Sequence, residues 1–357
     1  MTKKIIFTGG GSAGHVTLNL ALIPIFLQQK WEVVYIGSYN GIEKELIAKI
    51  PEVKYVPILT GKLRRYFSWQ NFTDMLKIPL GMLQAIWVVF KNKPDIVFSK
   101  GGFVSFPVVF AAKVNRVKCV MHESDVTPGL ANKMSLPFVS KFFTTFEDTV
   151  KYVKNKSKVD YVGPILSDRL KNGSKDNACK ICDFNKKLPI IMVIGGSLGA
   201  KSLNSAIREN LTKLLKKYQI IHICGKGQVE ESADRKGYKQ FDYVSEELKD
   251  FMAASDIVVS RAGSNSIFEL LSLNKPMLLV PLSSTSSRGE QMLNAKSFKN
   301  KGYCEIVADD KLGEQNLLLE TIDKIYQNKE QYVSNMQNSG FKATNNTDLA
   351  DKIIQMS

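Results

Sequence analysis

Strand-like apolar runs alternate with helix-like segments almost from one end of this chain to the other, an alternation that few folds accommodate. In the first half the runs are Lys4–Thr8, Glu32–Ile36, Tyr55–Ile58, Ile96–Ser99, Lys118–His122 and Phe142–Thr145. Alternating β and α segments predict an α/β fold, a parallel sheet with helices on both faces. The pattern weakens over Lys171–Lys187, a polar stretch with Gly173, Ser174 and Asn177. It restarts with Leu188–Ile194, Gln219–Cys224, Phe241–Val244, Ile257–Ser260 and Met277–Val280. The domain change is therefore placed between Gly163 and Lys187, and 357 residues suit two domains of ordinary size.

The restart echoes the beginning. Ile5-Ile6-Phe7-Thr8 runs into Gly9-Gly10-Gly11-Ser12-Ala13-Gly14, and Ile191-Met192-Val193-Ile194 into Gly195-Gly196-Ser197-Leu198-Gly199. Both read strand, glycine loop, helix. Two Rossmann-like halves imply a cleft between them, with ligand at the carboxyl ends of the strands where both loops lie. Alone, the first loop satisfies G-x-G-x-x-G in the context that places phosphate on a helix N-terminus, and so admits a dinucleotide-dependent oxidoreductase. Such enzymes also need an acidic residue at the end of the second strand. Here that strand ends Ile36-Gly37-Ser38, with Glu32 at its beginning, which counts against hydride transfer. Glycines that merely let a helix pack closely are the structural alternative.

Charge adds a second constraint. Residues 1–160 carry 22 basic and 11 acidic side chains, so +11 of the chain's +15 lies in the first half. A polyanionic partner is implied: nucleic acid, anionic lipid or a diphosphate substrate. Lys3 and Lys4 precede only Ile5, Ile6 and Phe7, too short for a signal-peptide core, and the longest apolar stretch, Ile78–Phe90, is too short to span a bilayer. A cytosolic chain is expected. Five cysteines without framework spacing fit reduced thiols, and Cys179-x-x-Cys182 lacks the second pair or nearby histidine of a zinc site; it is read as a chance pair in a polar loop.

Only three histidines occur, His15, His122 and His222. His15 stands beside the first glycine loop at a helix start, where a side chain titrating near neutrality suits a general base. His122 ends a strand in Met121-His122-Glu123-Ser124-Asp125, again at a carboxyl edge, while His222 reads as a core residue. A third strand-loop-helix, Ser260 through Glu269, offers backbone N–H groups for a diphosphate and a carboxylate one turn in for the two hydroxyls of a ribose. No D-x-D pair occurs anywhere, so no metal is expected; helix N-termini, hydroxyls and basic side chains would meet the diphosphate charge.

In order along essentially the whole chain, Gly9–His15, Ser99–Ser105, His122–Asp125, Gly195–Gly199, Arg261–Glu269 and Arg288–Gln291 with Asn294 and Ala295 resemble the MurG family of GT-B glycosyltransferases, staphylococcal members in particular. The resemblance implies transfer of GlcNAc from UDP-GlcNAc to the 4-hydroxyl of the muramoyl sugar of undecaprenyl-linked lipid I, with inversion, giving lipid II for peptidoglycan. It implies a domain of residues 1–163 for the acceptor and membrane, completed by 341–357, and one of residues 164–340 for the donor. It carries Ser12, Ala13 and Gly14 over to the sugar and diphosphate, Ser197 to the nucleotide diphosphate, Glu269 to the ribose and Gln291 to the GlcNAc hydroxyls. His15 is the expected base, with His122 its rival, and no cofactor is implied. Two positions depart from the family. Asp125 stands where many members have asparagine near the sugar. Ser167 falls where a donor-binding arginine is usual, and a serine lacks that residue's charge and fork, leaving Arg169 as a candidate to compensate.

A lipid-linked acceptor also implies a peripheral site on the cytoplasmic face of the cell membrane. Lys62, Arg64 and Arg65 precede Tyr66 and Phe67, and Met75, Leu76, Leu80, Leu83 and Trp87 follow at helical spacing. A core-facing helix and a membrane-facing one both fit that pattern. A nucleic-acid-binding module is the non-enzymatic alternative, but no recognisable motif for it occurs.

Overall fold

The computed structural model describes residues 2–61, 69–166, 168–196, 199–283 and 289–357, with nothing assigned to the side chains of Ala13, residues 69–76 and Asp168. The chain forms two units: Met1–Ile165 with Thr344–Ser357, and Leu166–Ala343.

The first unit runs β1 (Lys4–Thr8), α1 (Thr17–Gln28), β2 (Glu32–Ser38), α2 (Ile42–Ile47), β3 (Lys54–Ile58), α3 (Trp69–Asn92), β4 (Ile96–Ser99), α4 (Ser105–Val114), β5 (Lys118–Glu123), α5 (Leu130–Ser135), β6 (Lys141–Thr144) and β7 (Val159–Tyr161). Its strands are all parallel in the order β3-β2-β1-β4-β5-β6-β7. Strand residues alternate between two cores, as period 2 requires. Ile5, Phe7, Val33, Tyr35 and Phe98 pack with Leu22, Ile23 and Phe26 of α1. Ile6, Val34, Val97 and Met121 pack with Val88, Val89, Val108 and Ala112 of α3 and α4. A Cβ at Gly81 would lie 1.9 Å from the Leu59 carbonyl oxygen, so glycine is what lets α3 approach the chain leaving β3.

The second unit contains α6 (Lys175–Cys182), β8 (Ile190–Ile194), α7 (Lys201–Leu214), β9 (Gln219–Ile223), β10 (Tyr238–Phe241), α8 (Leu248–Ala254), β11 (Ile257–Ser260), α9 (Ser264–Ser272), β12 (Met277–Leu279), α10 (Glu290–Asn300), β13 (Cys304–Ile306), α11 (Leu317–Gln327) and α12 (Lys329–Gln337). Its order, β10-β9-β8-β11-β12-β13, repeats that of β1 to β6 in the first unit, without a counterpart of β7. The topological switch points thus lie between β1 and β4 and between β8 and β11, where ligands enter open sheets of this kind. Both glycine loops leave from them. The final helix, α13 (Asn346–Gln355), belongs to the first unit: Leu349, Ala350 and Ile353 are fully buried in the α1 core, and Thr344 N–H donates to the Pro164 carbonyl at 2.9 Å.

Several expectations need correction. Strands β7 and β13 were not legible: each is a three-residue edge strand containing an acidic residue, without the apolar run of an interior strand. Strand β10 precedes the apolar run Phe241–Val244 instead of coinciding with it, because Lys239 and Gln240 interrupt its pattern. Cys179 and Cys182 sit in helix α6, not in a polar loop; they share its buried face with Ala178, and burial pushes the Cys182 thiol up to about 12. On α3, Leu80, Leu83 and Trp87 are more than half exposed, as is Phe90, so this stripe does not face the core. Lys62, Arg64, Arg65, Tyr66 and Phe67, and the side chains of Met75 and Leu76, lie outside the described residues.

Candidate functional site

The first glycine loop is shaped around a carboxylate. Glu43, in the first turn of α2, is fully buried, and its two oxygens accept from Ser38 N–H (3.0 Å), Ser38 Oγ (2.5 Å) and Gly11 N–H (3.2 Å). A Cβ at Gly10 would stand 2.5 Å from that carboxyl carbon, which is why the loop has no side chain there. Gly11 takes φ +84°, and its Cβ would meet the Phe103 ring at 2.3 Å. The loop N–H that a phosphate would take at Gly11 is already held by the chain's own anion. Nor does a helix begin at the loop's end: a 3-10 turn, Ala13–His15, intervenes before α1. Ser12 and Gly14 are exposed on this turn and His15 is half-buried, the His15 ring lying beside the loop that follows β4.

That second loop carries Lys100, Gly101 and Gly102. Lys100 is buried, its Nζ 2.9 Å from His122 Nδ1 and 2.5 Å from Ser124 Oγ. Glu123 beside it accepts from Ser124 N–H, Asp125 N–H, Gly129 N–H and Asn132 Nδ2, all within 3.1 Å. One carboxylate therefore winds the turn that presents Asp125, itself half-buried with its carbonyl accepting from Thr149 Oγ1. Burial, and then the Lys100 charge, hold His122 well below the usual histidine range.

In the second unit, a Cβ at Gly195 would stand 2.5 Å from the Ala200 Cβ, and Gly199 adopts φ +74° against the Cys224 carbonyl. Helix α9 starts after an extended Gly263 with no side chain capping it, a helix end of the kind at which anions are bound. Glu269, on α9, is one-fifth exposed and pairs with Arg169 at 3.0 Å; burial raises its carboxyl and Arg169 opposes that. Gln291 at the start of α10 accepts from Leu282 N–H (3.2 Å), and Asn294 one turn on donates to the Ala262 carbonyl (3.3 Å), so the α9 and α10 entries are fixed to one another. Arg261 is committed to structure, bonding Asp309, the Val280 carbonyl and Ser202. His222 is a core residue between Tyr238 (2.8 Å) and Asn204 (3.0 Å), lowered to about 3 by burial and then by Arg208.

Ser12, Gly14, His15 and Asp125 thus cluster about the sheet edge of the first unit, Glu269 and Gln291 about that of the second. Ser167 and Ser197 lie outside the described residues. Sequence reasoning missed Glu43, Lys100 and Glu123. Lys100 alone carried a signal, a lysine between the apolar β4 and a glycine pair. Among the described residues no group of three or more His, Cys, Asp or Glu is placed to hold a metal ion.

The model of the glycosyltransferase family 28 N-terminal domain matches residues 5–144, and that of the family 28 C-terminal domain matches 190–353. The latter reaches into α13, which packs in the first unit. A relative from Geobacillus thermodenitrificans is 52% identical over 95% of each chain, and its curated name is UDP-N-acetylglucosamine--N-acetylmuramyl-(pentapeptide) pyrophosphoryl-undecaprenol N-acetylglucosamine transferase. Relatives of the same name from Clostridium tetani (52%, 100% of this chain and 99% of the relative) and Staphylococcus carnosus (49%, 99% and 97%) are also similar. Among solved structures, Acinetobacter baumannii MurG superposes with a TM-score of 0.79 at 20% identity, covering 99% of each chain. The glycotransferase of kitacinnamycin does so at 0.67 and 13%, covering 100% of this chain and 99% of that one.

Proposed function

The chain belongs to glycosyltransferase family 28, and from that premise we propose that it moves GlcNAc from UDP-GlcNAc to the 4-hydroxyl of the muramoyl sugar of undecaprenyl-diphosphate-linked lipid I, giving lipid II and UDP for peptidoglycan. The observation that carries this reading is identity near 50% over nearly the full length to several relatives bearing that one activity in their names. The site residues follow the same division of labour. In the second unit the α9 N-terminus receives the diphosphate, Glu269 the ribose hydroxyls and Gln291 the GlcNAc hydroxyls, with Ser197 on the nucleotide diphosphate. In the first unit Ser12, Ala13 and Gly14 line the sugar, and Asp125 stands nearby.

His15 accepts the proton of the acceptor 4-hydroxyl as that oxygen forms its bond to the anomeric carbon of GlcNAc. The bond from that carbon to the UDP oxygen breaks on the opposite face, and UDP leaves with the electron pair; an α donor thereby gives a β linkage. The packing around Glu43 favours a neutral sugar over a diphosphate at the first glycine loop, because a second anion beside that buried carboxylate would meet repulsion and find the Gly11 N–H taken. Transfer of label from UDP-GlcNAc to a short-chain lipid I analogue, with chelator present, is the deciding assay. Product formation unaffected by chelator is expected. No product, or its abolition by chelator, overturns the reading.

A lipid acceptor requires approach to a membrane, and no described helix is long and apolar enough to cross one. The α3 stripe supplies a surface for lying on it. Leu80, Leu83, Trp87 and Phe90 are 53–64% exposed at spacings of three and four residues, and Lys91 Nζ stands 4.9 Å from the Trp87 ring centroid. Each such side chain entering lipid contributes about 1.5–3 kcal/mol at full burial, and each nearby basic residue about 1 kcal/mol on an anionic surface. Sedimentation with anionic vesicles is expected to carry the protein down, and Leu83→Glu with Trp87→Glu to leave it in solution. Equal binding to neutral vesicles would remove the electrostatic part, and unchanged binding of the double variant the apolar part.

A further inference from the structure

We infer that Lys100 is a positioning residue that holds His122 as a neutral ring with its proton on Nε2, a hydrogen-bond donor reserved for an oxygen of the acceptor substrate. The second half of that statement rests on the transferase reading above; the first does not. A lysine ammonium has three donors and no acceptor. With Lys100 Nζ 2.9 Å from His122 Nδ1, that nitrogen must accept, and the single proton of the neutral ring goes to Nε2. Ser124 Oγ takes a second ammonium hydrogen; burial lowers Lys100 from the usual lysine range, and Glu123 and then Asp125 oppose that in part, favouring the ammonium.

His122 is 1% exposed, and its Nε2 is buried without a partner among the described residues. Unpaired buried donors are rare in native structures and ask for an explanation. This one sits in β5, one residue before the strand's carboxyl end. The loop that carries Lys100 also carries Gly102, whose Cβ would stand 3.2 Å from His15 Cδ2, so both histidines border one loop. The charge acting on His122 is that of Lys100, which opposes its protonation, while Glu123 and Asp125 act on Lys100. Held this way, His122 cannot serve as the base: Nδ1 is occupied and Nε2 already carries a proton. It can only donate, which leaves proton removal to His15 and makes the two rings complementary.

With three histidines in the chain, ring nitrogen NMR of the ¹⁵N-histidine-labelled full-length protein is tractable, and loss of one ring's signals in His122→Gln assigns it. The expected wild-type signature is an unprotonated Nδ1 and a protonated Nε2, constant from pH 6 to 8. In Lys100→Met the ring is expected to lose that single-tautomer signature. kcat/KM for the lipid acceptor should fall about tenfold, the scale of one hydrogen bond, with the donor KM unchanged. A protonated Nδ1 in the wild type, titration of this ring between pH 6 and 8, or a Lys100→Met protein that keeps the tautomer overturns the inference. Should Lys100→Met not fold, the wild-type spectrum still decides. Absence of transfer by the wild type would instead sink the functional reading and leave the spectrum standing as the judge of the Lys100–His122 pair.

Discussion

Replacing His15 by alanine is expected to lower kcat for sugar transfer by about 10²- to 10⁴-fold, the range that a positioned general base contributes, with donor KM within a few-fold of wild type. The expectation rests on position. His15 closes the 3-10 turn after the first glycine loop, its N–H bonded to the Ser12 carbonyl at 3.1 Å and its own carbonyl under Gly9, where a Cβ would come within 2.5 Å. The backbone therefore fixes where the ring leaves the chain, half-buried at the sheet edge, while the ring remains reachable. His122 is the natural rival from its place at the end of β5, and its surroundings exclude it: Lys100 takes its one basic nitrogen. His122→Gln, which retains a donor, should accordingly cost far less than His15→Ala. Equal losses in the two variants, or a His15→Ala enzyme within tenfold of wild type, would remove His15 from the role.

Much of this architecture was legible because parallel sheets buried on both faces write themselves as unbroken apolar runs. Lys4–Thr8, Ile96–Ser99 and Ile257–Ser260 are strands with the very limits their residues suggest. These three are central strands flanking the two switch points, so the same signal that gives the fold places the site. Two of the edges carry no such signal. Strands β7 and β13 need satisfy only one neighbour and cover little apolar surface, so Asp160 and Glu305 are tolerated in them. The site was half legible for a related reason. Glycines, and a histidine beside them, mark themselves by type, but an ionisable residue turned inward looks like one turned outward. Glu43 and Glu45 stand two apart on α2 with indistinguishable sequence roles; one is fully buried under the glycine loop and the other exposed. Only the packing of Ser38 and Gly11 separates them. The return of α13 to the first unit is likewise a matter of tertiary contact, since its Leu349-Ala350-Ile353 face would fit any apolar groove of its length.

Glu269→Ala is expected to raise the KM for UDP-GlcNAc by about 10- to 150-fold while leaving kcat near wild type, as follows when a hydrogen bond to a charged group, about 1.5–3 kcal/mol, is lost equally from ground and transition states. The carboxylate has capacity to spare: Arg169 occupies Oε1 at 3.0 Å, and two carboxylate oxygens offer about four acceptor positions, enough for both ribose hydroxyls with the arginine still in place. Arg169 has a second effect. Burial raises the Glu269 carboxyl and the guanidinium opposes part of that rise, so the arginine favours the ionised acceptor. Arg169 is itself two-thirds exposed, which limits the pair to about 1 kcal/mol at most, and Arg169→Ala should raise donor KM only about 2- to 5-fold near neutrality. The sign of its pH dependence is fixed. Without the arginine the carboxyl protonates at higher pH than in the wild type, and a protonated carboxyl gives up acceptor capacity, so the KM penalty of Arg169→Ala should grow as pH falls and shrink as it rises. Donor KM measured at pH 6 and pH 8 for the wild type and both variants separates the possibilities. A penalty for Arg169→Ala that is the same at both pH values would mean that the arginine contacts the donor directly, standing in for the guanidinium absent at Ser167. No penalty at all would mean that it does neither, and a Glu269→Ala enzyme with unchanged donor KM would take the ribose away from α9.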